Sequence, residues 1–347
     1  MHTDPRLQLI DDWLTRELAL GALTLAPASA DASFRRYFRV TTARESLIVM
    51  DAPPDKEDVA PYLKVSTLLA DCGVHVPKVH ATDARRGLLL LEDLGSTPLL
   101  SRLEAGDAPE GLYSDALRAL AAIQVRGAAG AAQLEPYDAP VLLREMRLMP
   151  EWFCTRHLGL TLTAAERDVL ASTEAFLIAE ALAQPQVFVH RDYHSRNLMV
   201  TPARSPGVID FQDALRGPAG YDLVSLLKDC YIGWPRERVE AWVAEFREHL
   251  GRAGATAAVR GASQVEYLRW FDLIGLQRHI KVLGIFARLF WRDGKPGYLA
   301  DLPRTLEYVR ETASRFPELA PFSGFVDARL MPLLAAANHR ARQALTP

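Results

Sequence analysis

The chain has 347 residues, 49% hydrophobic and 24% charged, with a net charge of −3. That is ordinary globular composition, long enough for two lobes with a core each, and it gives no reason to expect nucleic acid or an anionic membrane as a partner. Cys72, Cys154 and Cys230 show no C-x-x-C spacing, so they read as small buried hydrophobes, reduced in a cytoplasmic protein. The start, MHTDPRLQLIDDW, is acidic and amphipathic rather than basic then apolar, unlike a signal peptide, and no apolar stretch approaches the length of a membrane span.

Within residues 5–20, Leu7, Ile10, Trp13, Leu14 and Leu18 recur at helical spacing, and Gly21 closes the segment. Leu23–Pro27, the small-residue run Ser29–Ser33 and Phe34–Val40 read as strand, turn, strand, with a third strand at Ser46–Met50. Small residues such as Ser29 and Ser33 let backbone N–H groups approach a phosphate, although residues 22–72 hold no glycine, and a plain hairpin turn gives the same pattern. A helix over 55–72, a strand over 74–80 and the buried strand GLLLLEDLG (87–95) follow. The backbone at Glu92–Leu94 could pair with an adenine edge; a central strand with an ordinary turn reads the same way.

From about residue 96 the composition shifts to alanine- and leucine-rich helices, expected over 109–125, 140–158, 163–183, 220–231, 235–250, 264–291 and 301–315. The expected organisation is a small β-rich lobe over 1–95 and a helical lobe over 96–347, an α+β fold.

The stretch that carries chemistry is VFVHRDYHSRNLMVTPARSPGVIDFQD, residues 187–213. Two short strands are expected to bring Asp192, Asn197 and Asp210 to one end. Asn197 and Asp210 can share a divalent cation through oxygen, leaving Asp192 free to take a proton. This is the H-R-D-x-x-x-x-N plus D-F arrangement of phosphoryl transfer.

At these residues the chain resembles the aminoglycoside phosphotransferase family of small-molecule kinases, related to protein kinases. The markers are LLLLEDLG (88–95), HRDYHSRN (190–197), IDFQD (209–213) and GPAGYDLVSL (217–226). The resemblance implies a bilobal protein-kinase-like fold using ATP and Mg2+, with Asp222 bracing the catalytic loop, for which a helix N-cap is the plainer role. SADASFRRYFRV (29–40), LIVMDAPP (47–54), LLREMRLMPEWF (142–153) and GLQRHIKVLGIFARL (275–289) are similar to a branch that phosphorylates the C1 hydroxyl of N-acetylmuramate and N-acetylglucosamine in cell-wall recycling. The strand lysine that most relatives place on the nucleotide phosphates falls here at Met50 or Asp51. Arg35, Arg36, Lys56 or Lys64 would supply the charge instead, Arg35 or Arg36 by their place beside the turn.

On the acceptor side, Tyr193 and His194 could border the sugar, while His190 reads as a structural residue inside the loop. Glu145 and Glu151, beside Trp152, suit sugar hydroxyls or a solvated helix face. Arg278 and His279, with Gln277 and Lys281, form a basic cluster that suits a carboxylate such as the lactyl group of N-acetylmuramate. The expected partner is a small sugar, with a monomer favoured. An aminoglycoside, a choline-like amine or an amino acid remains an alternative acceptor, and a nucleotide-binding module without turnover is a third reading.

Overall fold

The structure, a computed structural model, describes residues 4–30 and 34–344. The chain forms two compact units: Met1–Ala119 with Arg196–Ala214, and Leu120–Ser195 with Leu215–Pro347. The first unit thus continues beyond Gly95, where the sequence draws the lobe boundary. The cause is local pairing: Val200 N–H donates to the Thr97 carbonyl at 2.8 Å and Pro98 bridges to Met199, joining the segment after Gly95 to the returning one.

In the first unit a five-stranded antiparallel sheet runs in the order β1-β2-β3-β5-β4, from β1 (Leu23–Ala30), β2 (Arg36–Thr42), β3 (Ser46–Asp51), β4 (Val79–Asp83) and β5 (Leu88–Glu92). Alternation puts Phe38, Val40, Leu47, Val49, Leu88 and Leu90 on one face. Ile10, Trp13 and Leu14 cover that face, from the helix Pro5–Asp12 and its π-turn extension Trp13–Glu17. Asp4 caps this helix by accepting from Arg6 N–H at 2.9 Å, with Pro5 in the first turn. Each such apolar side chain removed from water contributes about 1.5–3 kcal/mol.

Asp51 shares the face of Val49, yet it is fully buried. Its carboxylate accepts from Arg6 Nε at 2.9 Å and Arg36 Nε at 2.9 Å, and Arg36 also pairs with Asp4. A carboxylate clasped by two guanidinium groups therefore stands at the end of β3.

Four short strands follow: β6 (Gln186–Val189), β7 (Leu198–Met199), β8 (Gly207–Val208) and β9 (Leu215–Pro218). The sequence suggested that Val187–Val189 and Val208 belong together. Instead β6 pairs with β9 through Val187↔Gly217 and Phe188↔Arg216, while β7 pairs with β8 through Leu198↔Val208. Strands this short carry no periodicity that names their partner.

The second unit is mainly helical and centres on the helix Gln264–Trp291, opened by a capping box between Ser263 and Glu266. Leu273, Leu276, Ile280, Leu283, Phe286 and Phe290 join Met146, Met149, Phe153, Leu170, Leu177, Leu306 and Val309 in one core. Gly284 is required there, since a Cβ would lie 2.3 Å from the Leu148 carbonyl carbon. The helix expected over 140–158 is two pieces, Ala139–Met146 and the π-helix Met149–His157, with Pro150 in the first turn of the second.

Pro317–Gln343 corrects one expectation, because by length and composition it could cross a membrane. In this fold it is a broken series of short helices, and Leu319, Phe322, Phe325, Val326, Leu330, Leu334 and Ala337 enter the core of the second unit.

Candidate active site

In the second unit, β6 ends at Val189 and releases a loop that begins with His190 and Arg191. Arg191 has φ of 78°, a left-handed conformation uncommon for a residue with a side chain. Asp222, at the start of the helix Tyr221–Leu227, holds this bend. Its two oxygens accept from His190 N–H at 2.6 Å and Arg191 N–H at 2.9 Å. Burial pushes the Asp222 carboxyl up to about 7, against the two N–H donors that favour its ionised form. Asp192 N–H donates to His190 Nδ1 at 3.3 Å, so His190 lies within the loop's own bonding.

The far end of the loop has a second anchor that sequence reasoning missed. Asp229 is buried and accepts from Ser195 N–H at 2.9 Å and Ser195 Oγ at 2.5 Å. Asp222 and Asp229 flank a helix whose other residues are nearly all apolar, YDLVSLLKD, and two acids so placed were the available signal.

Asp192 itself is half-buried. Burial raises its carboxyl, but the positive charge of Lys281 foremost, with His194, Arg191 and Arg278, more than offsets this and holds it below the ordinary range. A carboxylate kept ionised this way can accept a proton.

Tyr193 is fully buried with its ring edge-on to His190 at 5.7 Å, so it supports the loop rather than bordering an acceptor. His194 is half-buried, edge-on to Tyr231 at 5.3 Å. Arg278 and His279 are both buried, because the helix Gln264–Trp291 has no exposed face at this level. Arg278 reaches Cys230 Sγ at 3.7 Å, and His279, its ring tilted against Tyr308 with centroids 4.8 Å apart, bonds the Lys228 carbonyl at 3.0 Å through Nε2. The basic cluster of this helix is therefore enclosed, and Arg278 and Lys281 both bear on Asp192.

Glu145 is likewise neither solvated nor open to a sugar. It is buried, and Arg191, Lys281, Tyr137 and Gln277 all converge on its two oxygens. Glu151 is exposed on the π-helix.

In the first unit, the β7–β8 hairpin sets Asn197 against Asp210. Ile209 N–H donates to the Asn197 carbonyl at 3.1 Å, and Asn197 Nδ2 donates to Asp210 Oδ2 at 3.2 Å. Asp210 also has a left-handed backbone, φ 62°, and Gln212 Nε2 donates to its Oδ1 at 2.9 Å. Phe211 is buried against Tyr62, ring centroids 4.8 Å apart. A carboxylate beside an amide oxygen is a donor set suited to magnesium.

Arg35 lies 3.7 Å from Asp210, whereas Arg36 is committed to Asp51 and Asp4. Ser33 and the side chain of Ser29 lie outside the described residues. Glu92, at the end of β5, accepts from Lys78 N–H at 3.1 Å, and the Leu94 side chain is buried against Gly207, whose Cβ would meet it at 2.7 Å. A cavity of about 680 Å³ in this unit is lined by Ser66, Asp71, Lys78, Glu92 and Arg204, but by neither Asn197 nor Asp210.

The model of the phosphotransferase enzyme family (APH) matches residues 24–262, more than half of the chain. The chain belongs to this family. An N-acetylmuramate/N-acetylglucosamine kinase of Pseudomonas putida is 45% identical over 327 residues, covering 91% of this chain and 94% of the relative. The kinase of the same name from Pseudomonas aeruginosa is 46% identical, covering 92% and 96%. The solved ethanolamine kinase of Plasmodium vivax superposes over 92% of both chains with a TM-score of 0.63 at 13% identity, a likeness of fold alone. An antiparallel-sheet unit followed by a mostly helical one is thus the protein-kinase-like fold of the phosphotransferase family, and the chain is a kinase acting on a hydroxyl.

Proposed function

We propose that this kinase transfers the γ-phosphoryl of ATP to the anomeric C1 hydroxyl of N-acetylmuramate and N-acetylglucosamine, in the cytoplasm, as a step of cell-wall recycling. One observation carries the sugar: relatives of that name match at 45–46% identity over more than nine-tenths of both chains.

The roles follow from the chemistry of each residue. Asp192, kept ionised by its cationic neighbours, accepts the proton of the attacking hydroxyl. An anomeric hydroxyl is more acidic than an ordinary alcohol, so it asks less of that base. Asn197 and the Asp210 carboxylate would hold magnesium, which would supply positive charge against the nucleotide phosphates. Arg35 stands in for the strand lysine, since Arg36 is tied up by Asp51 and Asp4 while Arg35 lies beside Asp210. The backbone at Glu92–Leu94 pairs with the adenine, and His194 and Glu151 border the sugar.

The test is magnesium-dependent ATP consumption with N-acetylmuramate, N-acetylglucosamine, kanamycin and choline as acceptors. Turnover with the two amino sugars is expected. Turnover with kanamycin or choline alone would sink the sugar assignment.

A further inference from the structure

Glu145 lies outside the residues that phosphoryl transfer itself requires, yet it is among the most heavily bonded side chains near the catalytic loop. It projects from the helix Ala139–Met146 and is 6% exposed. One oxygen takes the Arg191 guanidinium and Lys281 Nζ, the latter at 3.0 Å. The other takes the Tyr137 hydroxyl and, at 3.4 Å, Gln277 Nε2. Each cation also lies over an aromatic ring, Arg191 over Tyr137 at 5.6 Å and Lys281 over Tyr221 at 5.7 Å. Lys281 Nζ further donates to the Tyr221 hydroxyl at 3.1 Å.

The frame around this cluster is rigid. Tyr137 N–H donates to the Arg216 carbonyl of β9 at 2.8 Å, and any side chain at Gly217 would strike the Tyr137 ring at 2.9 Å. A buried carboxylate shared by a buried lysine and a half-buried arginine is strongly held, because removing one partner strands a charge in a medium that solvates it poorly.

Arg191 is the lever. It immediately precedes Asp192, and its left-handed backbone is an unfavourable conformation that the surroundings must enforce. Asp222 fixes its N–H from one side; the Glu145 contact fixes its side chain from another. With both ends held, the peptide that carries Asp192 cannot relax toward an ordinary backbone. The same carboxylate keeps Lys281, the foremost charge acting on Asp192, in place.

We propose that Glu145 is a positioning residue for phosphoryl transfer, which fixes Asp192 by clamping Arg191 and Lys281 on a single buried carboxylate. The proposal rests on the kinase reading given above and adds to it a residue that acts through Arg191 and Lys281.

The experiment compares Glu145→Gln with the wild-type chain for kcat, the KM of both substrates, nucleotide Kd and melting temperature. Wild-type turnover is scored first and reports on the sugar reading. The variant-to-wild-type ratio, taken with any acceptor that is turned over or with slow ATP hydrolysis, reports on Glu145. The expected result is a fall in kcat of about tenfold or more, with both KM values and nucleotide Kd within about threefold of wild type, since a misplaced reacting group costs rate before it costs binding. A kcat within about twofold of wild type would overturn the proposal, as would equal losses in kcat and nucleotide Kd. If Glu145→Gln does not fold, Tyr137→Phe keeps the charges and the ring but removes one bond to Glu145. A several-fold fall in its kcat at unchanged KM supports the proposal, and wild-type kcat overturns it.

Discussion

At the scale of single residues, Asp192 is where the chemistry concentrates. Asp192→Asn should lower kcat by about 10²–10⁴, the usual worth of a positioned base, while nucleotide Kd stays near wild type; isothermal titration beside a steady-state assay checks both. The groups that bear on its carboxyl are Lys281 and Arg278 from the long helix, Arg191 and His194 from the loop, and Asp222 from below. Their net effect is a folded-state value beneath the ordinary 3.8. The stability this ionisation contributes is therefore fully present above about pH 4 and is lost only as pH falls through the lower folded value. Lys281→Met withdraws the foremost cation, so the acid limb of kcat/KM should move to higher pH by about half a unit or more, and an unmoved limb would remove Lys281 from the account. The approach of Asn197 to Asp210 was legible in the sequence because both lie in one short stretch between turn signals. The burial of Arg278 and His279 was not legible, because charged residues usually face water and a helix enclosed on every side reverses that rule; Glu145 instead occupies the inner face of a partly exposed helix.

At the scale of elements, the sequence reading located most helices closely, as 264–291 against Gln264–Trp291 and 163–183 against Ala164–Ala183 illustrate. Capping boxes at Thr163/Glu166 and Ser263/Glu266 explain why these two starts were readable. The partners of β6–β9 were not, since four-residue and two-residue strands choose their neighbours through tertiary context alone. Packing of the long helix turns on one small residue. Gly284→Ala should destabilise the protein by about 1–3 kcal/mol, because the added methyl collides with backbone at Leu148 rather than with a movable side-chain tip. Chemical denaturation reads this as a lowered midpoint at unchanged m-value; a wild-type midpoint would show that the Arg147–Leu148 corner yields freely.

At the scale of the whole molecule, the first unit is discontinuous in sequence, and its last piece is the β7–β8 hairpin that holds Asn197 and Asp210. Val208 N–H donates to the His75 carbonyl at 2.7 Å, and Val200 N–H to that of Thr97 at 2.8 Å. A fragment of residues 1–95 lacks this hairpin, so it should unfold without a cooperative transition when followed by circular dichroism. A sharp melt would mean that the sheet and its N-terminal helix suffice alone. The same unit also contains the acid at the end of β3, SLIVMD, where the family's resemblance leads one to look for an amine. A nucleotide analogue built to acylate an amine on this strand needs that amine to react. Here the two candidate positions hold the thioether of Met50 and the Asp51 carboxylate sealed under two guanidinium groups, so such reagents should pass this enzyme by.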